Sequence, residues 1–410
     1  MSSVKQKPYK IFTPIRDFLS SSYATGVILI GCTALSLLLS NISVTQGYLN
    51  FWHYSIPHTI GSINLPENPL SLVNDVLMTF FFFLVGLEIK RELQVGELAS
   101  LKRSMLPVIA AFGGMVCPAI IFAIFNVNTP YQHGWGIPMA TDIAFSLGVL
   151  SLLGKKVPVQ LKIFLMALAI IDDLGAVVTI AIFYTKSLNL IYFGIAALAV
   201  VTVMLFNKFK VKNPYLYLLP AVVLWYSLFN SGIHPTISGV IMAFSMPLIK
   251  LEKIEHMHKI PVNYIIMPLF ALANTAIILP SNFNGAFTST ISYGIILGLV
   301  IGKPVGIFSF SWAATKLGIA ALPSKSTYKQ LLGMGILGGI GFTMSIFTST
   351  LSYNSDSLQI ISKISIIAAS FVSGVVGYMY VARFKPATVE HTREAEIDNT
   401  GLTEESVLVA

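Results

Sequence analysis

The apolar residues of this chain come in blocks of about twenty, and no other feature narrows its fold as much. A helix rises about 1.5 Å per residue, so a block of that size crosses the roughly 30 Å hydrocarbon core of a bilayer. Backbone N–H and C=O groups find no water there, which leaves helices and closed barrels as the spanning structures. Continuous blocks, rather than short alternating strands, select helices. Twelve are read near 23–42, 70–90, 105–125, 135–154, 158–184, 189–206, 214–229, 232–248, 260–280, 291–314, 329–351 and 360–383. The expected fold is an all-α polytopic membrane protein, with one twelve-helix domain over 23–385. Spans seven and eight are short and separated only by Asn230-Ser231-Gly232, so one of them reads as broken or tilted. Residues 1–22 are polar and basic and the first block is already of spanning length, so no cleavable signal peptide is expected. The tail 386–410 is acidic and polar, and reads as disordered.

Only 11% of the 410 residues are charged, against about 25% in soluble domains. The formal charge of +8 raises the question of nucleic acid. The placement of the basic residues answers it. All but three of the 26 lysines and arginines fall before span one, after the even-numbered spans, or past span twelve. The alternate loops hold only Lys186 and Lys363, and Lys303 sits inside span ten. This bias places both termini in the cytoplasm and accounts for the charge with no nucleic-acid partner. Cys32 and Cys117 lie in apolar blocks and read as small buried hydrophobes. Residues 43–69 form a charge-poor external loop. Phe51, Trp52 and Tyr54 lie between turn residues Pro57, Gly61, Pro66 and Asn68, in the pattern of a small hairpin at the interface. The stretch KLEKIEHMHK, 250–259, is a cytoplasmic cluster of charges and histidines.

Two spans are wrong for a simple helix. Span four reads GWGIPMATDIAFSLGVL, with Gly134, Gly136, Pro138 and Asp142; span eleven reads GMGILGGIGFTMSIF, with five glycines in nine residues. Proline removes a backbone donor, and clustered glycines permit either unwinding or close helix packing. Unwound backbone survives in lipid only where it is buried or lines an aqueous cavity. Paired interruptions in the two halves of a transporter point to an inverted repeat with its site at the midplane.

Four ionisable residues lie well inside spans: Asp142, the adjacent Asp172 and Asp173, and Lys303. Asp75 is a fifth, nearer the outer end of span two. Each such group costs roughly 2.5–3.5 kcal/mol to insert. They must therefore pair and hydrate in a cavity, or stay neutral. Adjacent helical residues point about 100° apart, so one aspartate of the pair can meet an ion while the other meets Lys303. A dehydrated sodium ion wants hard oxygen ligands. Two carboxylates, the Thr141 hydroxyl and freed carbonyls of span four would supply them. The same carboxylates can instead take protons. One site with two mutually exclusive occupants is the minimal description of an antiporter. Lys303 has two roles open to it: a structural counter-charge, worth about 4 kcal/mol for a 4 Å pair at an effective dielectric of 20, or a proton carrier.

MATDIAFSLGVL, LKIFLMALAIIDDLGA, IGKPVGI and GILGGIGFTMSIF, together with NDVLMTFFFFLVGLEIKREL, resemble the NhaA-type bacterial sodium/proton antiporters. The likeness runs from span one through span twelve. It implies that spans three to five and ten to twelve form two inverted repeats, with spans four and eleven crossing as broken helices. It implies that Asp172 and Asp173 bind the ion and carry protons, that Asp142 and Lys303 balance the helix ends, and that Thr141 lies near the ion path. It further implies electrogenic exchange of Na+ or Li+ for H+ in the bacterial inner membrane, with no cofactor. Regulation by alkaline pH is implied through Glu88, Arg91 and Glu92, with Glu255, His256 and His258 matching more loosely. A homodimer formed through residues 43–69 completes the expectation, although that loop is poorly matched.

Two other classes fit the residues less well. Proton-coupled uptake of an organic solute would want aromatic or arginine contacts, and no arginine lies in the core of any span. An intramembrane aspartyl protease needs two carboxyls sharing a proton; its glycine-x-glycine-aspartate signature is absent, and a buried lysine would upset the dyad.

Overall fold

In the computed structural model, residues 24–384 are described apart from 43–45, 57–58, 61–62, 186, 210, 212, 214, 248–250, 281–286 and 325. The expected N-terminal segment 1–22 and tail 386–410 lie outside the described residues. In chain order the helices are α1 (Ala24–Asn41), α2 (Gln46–Trp52), α3 (Pro69–Gln94), α4 (Leu101–Asn126), α5 (Ile143–Leu152), α6 (Val159–Phe183) and α7 (Leu190–Lys208). There follow α8 (Tyr215–Ser231), α9 (Ile237–Ser245), α10 (251–274), α11 (Thr290–Lys316), α12 (Tyr328–Gly338), α13 (Phe342–Ser352) and α14 (Asp356–Ala382). Eight of these elements, counting the segment Gln132–Leu152 as one, are long and apolar enough to cross a membrane, and α12 with α13 makes a ninth, bent by 45°. This is a helical, multi-pass membrane protein.

Three of the long helices carry wide π turns, at Leu72–Leu77, Val262–Ile266 and Gly298–Gly302. The last has a visible cause. Pro304 has no N–H to give its preceding turn, so the ladder slips and the Lys303 N–H bonds Gly298 instead. Beyond it α11 lies so close to α4 that a Cβ on Gly113 would stand 2.5 Å from the Gly306 carbonyl. Only hydrogen fits at that crossing, and the tight contact fixes where Lys303 points.

The elements differ from the sequence expectation in three places. Residues 251–259 of the charged stretch are no loop, because α10 begins at Leu251 and carries them as three helical turns. The eighth span is reduced to the nine residues of α9. Lys363, counted with the outer loop at the edge of span twelve, is buried two turns into α14. Within 43–69 the expected hairpin is present as a two-stranded antiparallel ribbon pairing Thr59–Ile60 with Ile63–Asn64, and α2 precedes it. The Tyr48 hydroxyl of α2 donates to Ser36 and to the Leu272 carbonyl, so the aromatic part of this loop docks on the helices.

Candidate functional site

Two interruptions of the helices meet at the centre of the molecule. Ala140 and Asp142 are extended between the 3₁₀ segment Gln132–Met139 and α5, and the chain leaves helical form again between α12 and α13. The glycines of the second break keep ordinary φ angles: Gly339 is at −70° and Gly341 at −99°. Their contribution is close approach, since a Cβ on Gly341 would lie 3.1 Å from the Ala140 carbonyl.

Each break satisfies the backbone groups freed by the other. Asp142 caps α5 through Oδ1, which accepts from the Phe145 N–H at 2.9 Å. Its Oδ2 accepts from the Thr343 N–H at 3.0 Å and the Thr343 hydroxyl at 2.6 Å, at the start of α13. Glycine precedes α13 and offers it no side-chain cap, so a carboxylate from another element does so. One negative charge thus serves two helix N-termini, each favouring an anion by about 0.3–1 kcal/mol. The carbonyls that end α12 are taken in turn. Ile340 accepts from the Asp142 N–H at 2.6 Å, Leu337 from the Ser146 hydroxyl at 3.0 Å, and Gly338 lies 2.9 Å from the Thr141 hydroxyl.

Beside this crossing, α6 presents Asp172 and Asp173 in different directions. Lys303 donates to Asp172 Oδ2 and, at 2.8 Å, to the Thr141 hydroxyl, which itself lies 2.6 Å from the same carboxylate oxygen. Lys303 and the Asp172 side chain are wholly enclosed. Lys303 therefore reaches the carbonyl end of α12 only through Thr141, and its direct partner is Asp172.

Asp173 turns instead into a cavity of about 560 Å³. The cavity follows one face of α3 through Phe81, Leu84, Val85, Glu88 and Arg91, a rise of about 15 Å, and ends on Thr141, Asp142, Asp173 and Thr343. Asp172, Asp142, Glu88 and Lys303 are the charged neighbours of Asp173. One oxygen of each adjacent aspartate, Asp172 Oδ1 and Asp173 Oδ1, is buried with no hydrogen-bond partner. Buried carboxylate oxygens are rarely left so, and these can accept a proton or a cation. Among the described residues no group of three or more His, Cys, Asp or Glu could hold a metal ion. A cation here would rest on these carboxylates with hydroxyl and carbonyl help.

The chain matches the family model described as Na+/H+ antiporter 1 over residues 16–381. It is 48% identical to the Na(+)/H(+) antiporter NhaA 2 of Flavobacterium johnsoniae, over 92% of this chain and 93% of that protein. It is 46% identical to the NhaA of Flavobacterium psychrophilum and 45% to that of Salmonella arizonae, over 90% of this chain in both cases and 96% and 97% of theirs. The chain belongs to the NhaA sodium/proton antiporter family.

In this NhaA-family chain the remaining sequence candidates fall into two groups. Glu88 and Arg91 line the cavity, and Arg91 gathers Glu92 and Glu255 beside it. Arg91 pairs with Glu255 at 2.9 Å and with Glu92 at 3.1 Å, and Lys259 stands 3.9 Å from Glu88. The two histidines do not join them. His256 is exposed, while His258 bonds the Ile254 carbonyl of its own helix and sits edge-on to Phe83. Asp75 stands apart from the cavity, 3.3 Å from His234, with its carbonyl taking the Trp225 and Thr79 donors.

Sequence reasoning missed three participants. Thr343 is the hydroxyl that binds Asp142; its signal was a threonine two residues past the glycine run of span eleven. Lys259 lies in the stretch noted for its histidines. His234, as the partner of Asp75, carried no signal in the sequence.

Proposed function

We propose that this chain exchanges cytoplasmic Na+ or Li+ for external H+ at one carboxylate site, electrogenically, in the bacterial inner membrane with both termini cytoplasmic. The observation that carries the reading is the cavity leading from Glu88, Arg91 and Lys259 to buried carboxyl oxygens that have no partner. A hydrated cation is drawn down it by the acidic residues. At Asp173 it exchanges water for hard oxygens: Asp173, the Thr141 hydroxyl, and Asp172 once Lys303 has let go. The site cannot hold the cation and its protons together, because each neutralises the same charge. Three carboxyls and one ammonium meet there, so one cation displaces more than one proton from Asp173 and from the Asp172–Lys303 pair, and exchange carries net charge. Spans four and eleven are proposed to be the crossed, broken helices of two inverted repeats, whose extended stretches move the site between the two faces. A homodimer through residues 43–69 belongs to the same proposal.

The test uses everted vesicles holding an imposed proton gradient. Sodium and lithium are expected to dissipate it and potassium is not; indifference to sodium would exclude the reading.

Control by pH is proposed to reside at the cavity mouth. Burial pushes the Glu255 carboxyl above the ordinary glutamate range; Arg91 and then Lys259 oppose this, and Glu92 and Glu252 add to it. The sign follows. Below its raised pKa Glu255 is neutral and holds Arg91 weakly. As pH rises through that value it ionises, and the Arg91 pair across α3 and α10 tightens. Rising pH therefore builds this contact. Glu255→Gln is expected to move the pH of half-maximal exchange by about one unit. An unaltered pH–rate profile in vesicles would remove Glu255 from the regulation.

A further inference from the structure

The cavity reaches the central carboxyls along α3 and α10, and the far side of the crossing is built from unusual parts. On that side, α13 lies against the 3₁₀ segment Gln132–Met139. Its residues Ser345, Ser349 and Ser352 are spaced i, i+4 and i+7, so they share one face of the helix. The first and last of them show where that face points. Ser345 donates to the Ile137 carbonyl at 2.7 Å, and Ser352 meets the Tyr184 hydroxyl. Ser349 therefore lies on the line between Ile137 and Tyr184. Hydroxyls inside a helix ordinarily bond back to the carbonyl one turn earlier, as Thr348 and Ser352 do here, to Met344 and Thr348. Ser349 does not. Its side-chain oxygen is fully buried and has no hydrogen-bond partner.

Two tyrosines shut the far end of this stripe. Tyr184, just past α6, donates to the His133 carbonyl at 2.8 Å. Tyr353, just past α13, donates to the Tyr131 carbonyl at 3.0 Å. Both rings press on glycines of the 3₁₀ segment. A Cβ on Gly136 would stand 2.7 Å from the Tyr184 hydroxyl, and one on Gly134 would overlap that of Tyr353. Each tyrosine is thus held by a hydrogen bond to backbone and a socket with no side chain, and Tyr184 also by Ser352. Tyr353 is buried in the central apolar cluster and Tyr184 packs against it, so opening this closure exposes apolar surface as well as breaking these bonds.

We propose that the Ser345–Ser349–Ser352 face of α13 is the outward half of the ion route, and that Tyr184 and Tyr353 are its gate. Hydroxyl oxygens are hard donors of the kind a partly dehydrated alkali cation needs on leaving the carboxyls. Ser349 is the free ligand midway along it. When the segment 132–139 parts from α13, the two tyrosines give up their carbonyls and the stripe opens to the outside. This route rests on the exchange reading above.

The test places a reporter in the stripe. In a Cys32→Ala/Cys117→Ala background, Ser349→Cys is expected to react with a membrane-impermeant thiol reagent applied outside cells. Sodium is expected to slow the reaction, and Tyr353→Phe or Tyr184→Phe to speed it about fivefold or more, since each releases the bond to the facing carbonyl. Sodium-driven proton movement by the cysteine-free parent is measured alongside. No labelling of Ser349→Cys from outside, in a parent that exchanges, overturns the route and leaves exchange standing. A parent that does not exchange overturns the exchange reading and the route with it. Ser349→Ala supplies a second reading that needs no label. Its turnover is expected to fall about fivefold with half-saturation by sodium on the cytoplasmic side unchanged; wild-type turnover would overturn Ser349 as a ligand.

Discussion

Asparagine in place of Asp173 is expected to abolish sodium-dependent proton movement, with a loss of about 100-fold or more. The side chain keeps its shape but can no longer release a proton or neutralise a cation at the end of the cavity. The fold should tolerate the change, because the neighbours of Asp173 include three further carboxyls, Asp172, Asp142 and Glu88. Removing one like charge from that group relieves repulsion. Asp172→Asn makes the same chemical change one residue earlier with the opposite structural consequence. It too should stop exchange, but it leaves Lys303 enclosed without the carboxylate that it binds. Thermal unfolding in detergent is therefore expected to show Asp173→Asn at least as stable as wild type and Asp172→Asn less stable. Full exchange in either variant, scored in everted vesicles, would remove that residue from the site.

Lys303→Met is expected to cost about 3–5 kcal/mol of stability, the usual penalty for breaking a buried ion pair from one side. The loss comes from the stranded Asp172 carboxylate more than from the missing attraction. A second change, Asp172→Leu in the Lys303→Met background, removes the stranded charge and should return most of that stability while leaving transport dead. Chemical denaturation of the single and double variants measures both. Should the double variant unfold no later than the single one, the pair is not the source of the effect. The comparison also separates the two roles open to Lys303. A lysine that serves only as counter-charge would let Lys303→Arg support exchange with an unshifted pH profile, whereas a proton carrier would not, because a guanidinium stays charged.

The spans of this chain could be read in advance because lipid leaves few choices. Apolar blocks of spanning length became α1, α3, α4, α6, α7, α11 and α14. Pro138 and the neighbouring glycines marked where backbone would leave the helix, and Asp172 beside Asp173 marked two carboxyls that cannot point the same way. These features are local, set by a few consecutive residues and the solvent around them. The same reasoning failed where local cues were mixed. Lysine at 363 read as a loop signal, yet it lies in α14. The charges of 250–259 read as a solvated cluster, yet those of 251–259 form the start of α10, where Glu255 turns inward to Arg91.

Only the assembled molecule decided which charges meet. Asp172 and Lys303 are 131 residues apart, and Asp142 and Thr343 are 201 apart. No pattern in either segment names the other. Asp142 found two helix starts to cap because the two breaks lie against each other, and Asp173 was left facing a cavity because Lys303 had taken its neighbour. Helix formation and membrane crossing are dictated by each segment's own residues, since every backbone group must be satisfied within it. The pairing of buried charges is settled by packing across the whole chain, where the cost of one unpaired group is felt only once its alternatives have been excluded.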